Sequence, residues 1–165
     1  MNQNWNRIIE LFYEYSNESF SVREIAKMSK IPSSTAQRYL ETLKKVGVIG
    51  EGNRPKINSF FKFKKSSFLI EKIHSSGLLD YLIVDLKPSC VVLFGSARKG
   101  EYDKDSDIDL FVESTSKKDV DLKIYEKRIG HNVHLFVNED IKKLPEDLLN
   151  NVINGIKLMG YIKLK

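Results

Sequence analysis

Residues 94–112 read Phe-Gly-Ser-Ala-Arg-Lys-Gly-Glu-Tyr-Asp-Lys-Asp-Ser-Asp-Ile-Asp-Leu-Phe-Val. Four apolar residues, Val91 to Phe94, run into the Gly95-Ser96 turn, a polar loop follows, and Asp107-Ile108-Asp109 opens a second apolar run, Leu110 to Val112. Glycine lets the backbone approach a ligand closely, and exposed amides with the Ser96 hydroxyl can hold a phosphate. Aspartates at i and i+2 of a strand point to one face, about 7 Å apart at Cα. Both carboxylates then share one divalent cation or bridge two, as phosphoryl chemistry requires. Without that chemistry the same residues would be a loop of solvated acids between two strands.

Gly-Ser followed after ten residues by Asp-x-Asp resembles the signature of the polymerase β-like nucleotidyltransferases, above all their small minimal branch. The match runs through Leu93, Phe94, Gly95, Ser96, Arg98, Gly100, Glu101, Ser106, Asp107, Ile108, Asp109 and Leu110. The resemblance implies transfer of a nucleoside monophosphate from an NTP to a hydroxyl, with release of pyrophosphate. Gly95 and Ser96 would hold the triphosphate, and Asp107 and Asp109 the Mg²⁺ or Mn²⁺. Arg98, or Lys99 beside it, would offset phosphate charge. Ser106 belongs to the nucleotide side of the loop, where bracing the aspartates is favoured over touching substrate.

Members of this family usually carry a third aspartate on the next strand, which completes the metal site and helps deprotonate the attacking hydroxyl. At the matching place this chain has Asn132, His134 and Phe136. His134 is the positional equivalent, so the catalytic set reads Asp107, Asp109 and His134. A neutral imidazole accepts a proton near pH 7 but is a poor ligand for Mg²⁺. Glu139 and Asp140 lie past the strand and reach the site only at a stretch. Three readings stay open: an active nucleotidyltransferase, a nucleotide-sensing DNA-binding protein, and a catalytically silent regulator whose second domain only dimerises.

The charge is unevenly spread. Residues 1–65 hold 12 Lys or Arg against 6 Asp or Glu, whereas residues 66–165 hold 15 against 16. Residues 30–65 alone carry 9 basic and 2 acidic residues, a balance suited to a polyanion. Domains are therefore expected at 1–65 and 66–165. Hydrophobic content of 41% and charged content of 30% are ordinary for a globular protein. No apolar run is long enough to span a bilayer, and Met1 to Trp5 lack a signal-peptide pattern. The single cysteine, Cys90, reads as a buried strand residue, and a reducing, cytoplasmic setting is expected.

In the basic part, Trp5, Ile8, Phe12 and Tyr15 recur at helical spacing. Ser21-Val-Arg-Glu24 is a capping box that opens a short helix with Val22, Ile25 and Met28 inward. Ser33 or Ser34 caps a third helix, with Ala36, Leu40 and Leu43 inward and Gly47 at its stop. Val48-Ile49, a turn-rich tip over 50–55 and a return strand from Lys56 to Phe63 complete a winged helix-turn-helix. Residues 34–49 resemble the recognition helix and wing entry of prokaryotic transcription regulators. In such a module Thr35, Gln37 and Arg38 face the bases, Lys44, Lys45, Arg54 and Lys56 neutralise phosphates, and Ser34 counts among the DNA-binding residues.

The remaining elements follow in order. Ser67 caps a helix through Ser76, Leu78 to Leu86 forms another, and the strand at 90–94 comes after Lys87-Pro88. Asp119 to Lys127 is expected to be helical, 131–137 a third strand, and Pro145 the start of a closing helix. The tail from Asn154 to Tyr161 reads as a short apolar turn. The predicted fold is an α/β (α+β) nucleotidyltransferase domain on a short mixed sheet, preceded by a winged helix-turn-helix. Expected partners are DNA and nucleotide, no membrane, and a second copy of the chain. The resemblance also raises a separate helical toxin-like partner, which the DNA-binding module makes less favoured.

Overall fold

The computed structural model describes residues 3–163, so Met1, Asn2, Leu164 and Lys165 lie outside the described residues, as does part of the Met1–Trp5 reading. The chain divides into two compact units, one ending at Lys62 and the next beginning at Phe63.

The first unit opens with α1 (Gln3–Glu14), α2 (Val22–Ser29) and α3 (Ser33–Lys45). Helix α1 buries Ile8, Ile9, Phe12 and Tyr13, whereas Trp5 and Tyr15 are only half-buried. The capping box forms as the sequence predicts: the Glu24 amide donates to Ser21 Oγ at 3.2 Å and the Ser21 amide to Glu24 Oε2 at 2.8 Å. Ser21→Ala is therefore expected to cost about 1 kcal/mol, read by denaturant unfolding of the full chain. An unchanged midpoint would mean that packing alone holds α2. On α2 the buried residues are Ile25, Ala26 and Ser29, while Met28 turns outward at 42% exposure. Helix α3 buries Ala36, Leu40 and Leu43 as expected, but its N-cap is Pro32 rather than a serine.

The wing is reduced. Ile49 and Pro55 form an isolated bridge, with a 3₁₀ turn over Glu51–Asn53 at the tip. Lys56 donates to Val48 O at 2.9 Å, and the pairing stops there. The expected return strand to Phe63 is absent, because Ser59–Ser76 is one helix, α4. Asn58 starts it by accepting the Phe61 amide at 2.8 Å, and Phe61, Leu69 and Ile73 are its buried apolar positions. The alternation of Phe61 and Phe63 with lysines imitates a strand, but the buried residues recur every four. Ser67, expected as a cap, lies inside α4 and donates to Phe63 O at 2.8 Å.

The second unit continues from α4 with α5 (Leu78–Leu86), β1 (Cys90–Phe94), α6 (Gly95–Lys99) and β2 (Ile108–Glu113). Then come α7 (Lys123–Ile129), β3 (Val133–Asn138), α8 (Glu146–Ile153) and β4 (Ile156–Gly160). The sheet order is β3-β2-β1-β4, with β2 and β3 parallel and the other two pairs antiparallel. The parallel pair is joined through α7, because a parallel connection needs a crossover. The closing segment is thus a fourth strand on β1, where a short turn was expected. Its tertiary pairing, more than its polar-flanked sequence, makes it extended.

Alternation along the strands gives the sheet two different faces. One carries Val91, Leu93, Ile108, Leu110, Val112 and Val133 against the apolar sides of α4, α5 and α7. The other carries Cys90, Val92, Phe94 and Phe111 against Ile141 and Val152, with Leu148 and Leu149 of α8 packed alongside. Cys90 is fully buried, and that burial pushes its thiol above the ordinary range. Among the described residues, no helix is long and apolar enough to cross a membrane.

Candidate functional site

The site forms where three strands meet the Gly95 turn. Phe94 pairs with Asp109 across β1 and β2, and Asp109 pairs with His134 across β2 and β3. Alternation puts Asp109 on the face of Phe111, at the rim of the thinner layer. His134 leans on Phe136 at 4.5 Å between ring centroids, and Phe136 meets Phe94 edge-on at 5.4 Å.

Gly95 has φ +71°, and a Cβ placed there would lie 2.2 Å from Asp109 Oδ2. Two independent constraints, left-handed backbone and close approach, therefore require glycine at this turn. The missing side chain leaves Oδ2 of Asp109 facing the half-buried Gly95-Ser96 backbone.

The two aspartates occupy different surroundings. Asp109 is half-buried, and burial pushes its carboxyl above the usual range; the His134 ring pulls it back and the Asp107 charge adds to the push. His134 Nδ1 stands 3.6 Å from Asp109 Oδ1, with side-chain exposures of 64% and 28%. Asp107 is exposed, and the Asn132 side-chain amide donates to its Oδ1 at 3.2 Å.

The loop before the aspartates is braced from within. Ser106 Oγ donates to Asp103 Oδ1 at 2.8 Å and accepts the Asp103 amide at 2.9 Å. The Ser106 hydroxyl foremost, with the Asp105 amide and the Lys65 charge adding to it, holds the Asp103 carboxyl below its ordinary range. Buried His131 meets the Ser106 carbonyl through Nδ1 at 2.9 Å and stands edge-on to Tyr102. From α4, Ser66 Oγ donates to Arg98 O at 3.1 Å, while Tyr102 OH donates to Lys65 O at 3.2 Å. The buried Lys65 ammonium lies over the Tyr102 ring at 4.5 Å. These α4 contacts escape a reading along the chain, since Ser66 and Arg98 are 32 residues apart and Ser66 lies outside the motif that contains Arg98.

The structure thus brings Gly95, Asp109 and His134 together, with Asp107 two residues before Asp109 on the chain. Ser96 and Arg98 are half-buried on α6 beside this group. The more distant acids are committed elsewhere. Glu139 pairs with Lys143, and Asp140 accepts the Lys142 amide at 2.9 Å. Among the described residues, no three His, Cys, Asp or Glu side chains form a group that holds a metal by themselves. Two carboxylates beside the glycine turn nevertheless fit a divalent ion most of whose remaining positions come from phosphate and water. They do not fit an all-protein cage.

In the first unit, Ser34, Gln37, Arg38, Lys44 and Lys45 are exposed on α3, and Arg54 and Lys56 are exposed at the reduced wing. Thr35 is half-buried and Gln37 is bonded to Glu41 at 3.0 Å, so both are less available than the spacing suggests. The Arg38 guanidinium lies over the Tyr39 ring at 5.7 Å.

Comparison with known families agrees with this arrangement. The family model described as IclR helix-turn-helix domain matches residues 6–50. The one described as nucleotidyltransferase domain matches residues 78–163, just over half of the chain. No curated protein and no solved structure gave a significant match. A helix-turn-helix domain comes first and a mixed-sheet α+β domain second, and by that second domain the chain belongs to the nucleotidyltransferase domain family.

Proposed function

We propose that the protein is a DNA-binding nucleotidyltransferase that moves a nucleoside monophosphate from an NTP to a hydroxyl. The acceptor oxygen attacks the α-phosphorus, the bond from that phosphorus to the bridging oxygen breaks, pyrophosphate leaves, and the acceptor's proton passes to water. The observation that carries this reading is the approach of Gly95 to Asp109, where a Cβ would stand 2.2 Å from Oδ2. A glycine held at φ +71° lets the Asp109 carboxylate lie directly against the turn whose backbone would meet phosphate oxygens. Gly95 and Ser96 hold the triphosphate, and Asp107 and Asp109 hold the divalent ion. That ion, when bound, neutralises charge developing on the phosphoryl oxygens. Arg98 offsets further phosphate charge, and Asn132 orients Asp107 through its 3.2 Å bond.

The first unit carries DNA. Residues 30–65 hold the net positive charge, and Ser34, Gln37 and Arg38 stand exposed on the third helix. Lys44, Lys45, Arg54 and Lys56 supply phosphate contacts.

A second reading has its own support. The β3 residue in register with Asp109 is His134, and the acids beyond it are bonded elsewhere. A regulator that binds nucleotide without chemistry fits that observation. Incubation with labelled ATP, CTP, GTP or UTP, divalent metal and hydroxyl-bearing acceptors decides between them. The enzyme transfers label to an acceptor and releases pyrophosphate. Absence of transfer with every nucleotide, together with tight and strongly salt-dependent binding to one DNA site, establishes the regulator instead.

A further inference from the structure

We infer that His134 is a nitrogen ligand of the site ion, and that the site takes a first-row transition-metal ion in preference to Mg²⁺. The inference rests on the nucleotidyl-transfer reading and names the cofactor of that same site. His134 is paired with Asp109 in the parallel register, so the backbone of β3 delivers its ring to the carboxylate. Nδ1, the nitrogen facing that carboxylate, stands 3.6 Å from Oδ1. Two ligands at right angles around one ion, each about 2.1 Å from it, are about 3 Å apart. The pair is within a small side-chain rotation of that spacing. His134 has the freedom to make it, with 64% of its side chain exposed. Its ring rests on Phe136 at 4.5 Å between centroids, one apolar contact beside an otherwise exposed side chain.

The chemistry of the donor follows. A third carboxylate would give a hard, anionic oxygen set that suits Mg²⁺. An imidazole in its place removes one negative charge and adds a borderline nitrogen, which transition metals bind and Mg²⁺ does not favour. Affinity for such mixed sets rises from Mn²⁺ onward along the first row, so Mn²⁺ is the most demanding probe of the class. An imidazole bound through Nδ1 keeps its proton on Nε2 and cannot serve as the base. The ligand and base roles of His134 therefore exclude each other, and a direct signature separates them.

The test uses the full chain with Mn²⁺ and an ATP analogue carrying a methylene between the α- and β-phosphorus. Pulsed electron paramagnetic resonance of bound Mn²⁺ is expected to show a coordinated nitrogen that changes isotope when the histidines are ¹⁵N-labelled. Labelling histidine excludes the adenine ring as the source. His134→Ala is expected to lose that coupling and weaken Mn²⁺ by about tenfold or more, with little change for Mg²⁺. His134→Asp is expected to shift the preference back toward Mg²⁺. Mn²⁺ bound with no histidine coupling, and with equal affinity in His134→Ala, overturns the inference while leaving the transfer reading standing. No Mn²⁺ bound with or without the analogue overturns both. His134 is exposed, so loss of folding does not confuse the readout.

Discussion

Asp109→Asn is expected to reduce nucleotidyl transfer by roughly 10²–10⁴-fold, since an ion that stabilises phosphoryl charge is worth several kcal/mol and each 1.36 kcal/mol is tenfold. The same substitution is expected to leave the metal-free protein as stable as before, or more so. Asparagine keeps the shape against Gly95 but removes a half-buried charge. The direction with pH follows from the raised carboxyl of Asp109, whose first cause is burial. A carboxyl with a higher pKa folded than unfolded binds its proton more readily in the folded state. Below the ordinary Asp value, about 3.9, both states are protonated and no penalty exists. As pH rises through the folded value the penalty grows, then levels off. The stability gained by Asp109→Asn should therefore increase with pH across that window, as measured by denaturant midpoints at successive pH values. A variant that transfers label as well as the parent, or is less stable at neutral pH, would refute the assignment of Asp109.

Gly160→Ala is expected to destabilise the second unit by roughly 2–5 kcal/mol, combining left-handed backbone strain of about 1–2 kcal/mol with overpacking of about 1–3 kcal/mol. Gly160 has φ +73°, and an added Cβ would stand 1.9 Å from Ser89 O and 2.8 Å from Cys90 Cα. Both neighbours are backbone atoms at the start of β1, so no side chain can swing aside. Gly160 pairs with Cys90, and Tyr161 donates to Ser89 O at 3.1 Å immediately after it. The clash therefore pushes β4 off β1, the strand that leads into Gly95. Gly47→Ala is the control. Its φ is +75° but nothing lies within 4 Å of the added Cβ, so strain alone remains. Thermal unfolding of the two variants should separate these costs, and equal losses would show that the β4 contact contributes nothing.

Local signals carried much of this fold. The capping box of α2, the inner face Ala36, Leu40 and Leu43 of α3, and the limits of α5 at Leu78 and Leu86 were legible, because each rests on interactions within one or two turns. Errors arose where local pattern and long-range packing disagreed. Phe61 and Phe63 alternate like strand residues, yet Asn58 caps a helix there and Phe61 is buried as part of it. The stretch Ile156–Gly160 looks like a closing turn until β1 offers it a partner.

The 94–112 stretch by itself determined the family, the glycine turn and the pair of aspartates, because that chemistry is written in residues close together on the chain. Tertiary structure alone decided what surrounds them. The close approach of Gly95 to Asp109, the hold of Asn132 on Asp107, and the bonds of Arg98 and Tyr102 with α4 join residues 14 to 37 positions apart. The sequence named His134 as the residue in place of a third acid, but only the parallel register of β2 and β3 brings its ring to 3.6 Å from a carboxylate. Strand register is a collective outcome of burying both faces of a sheet, and no short motif encodes it.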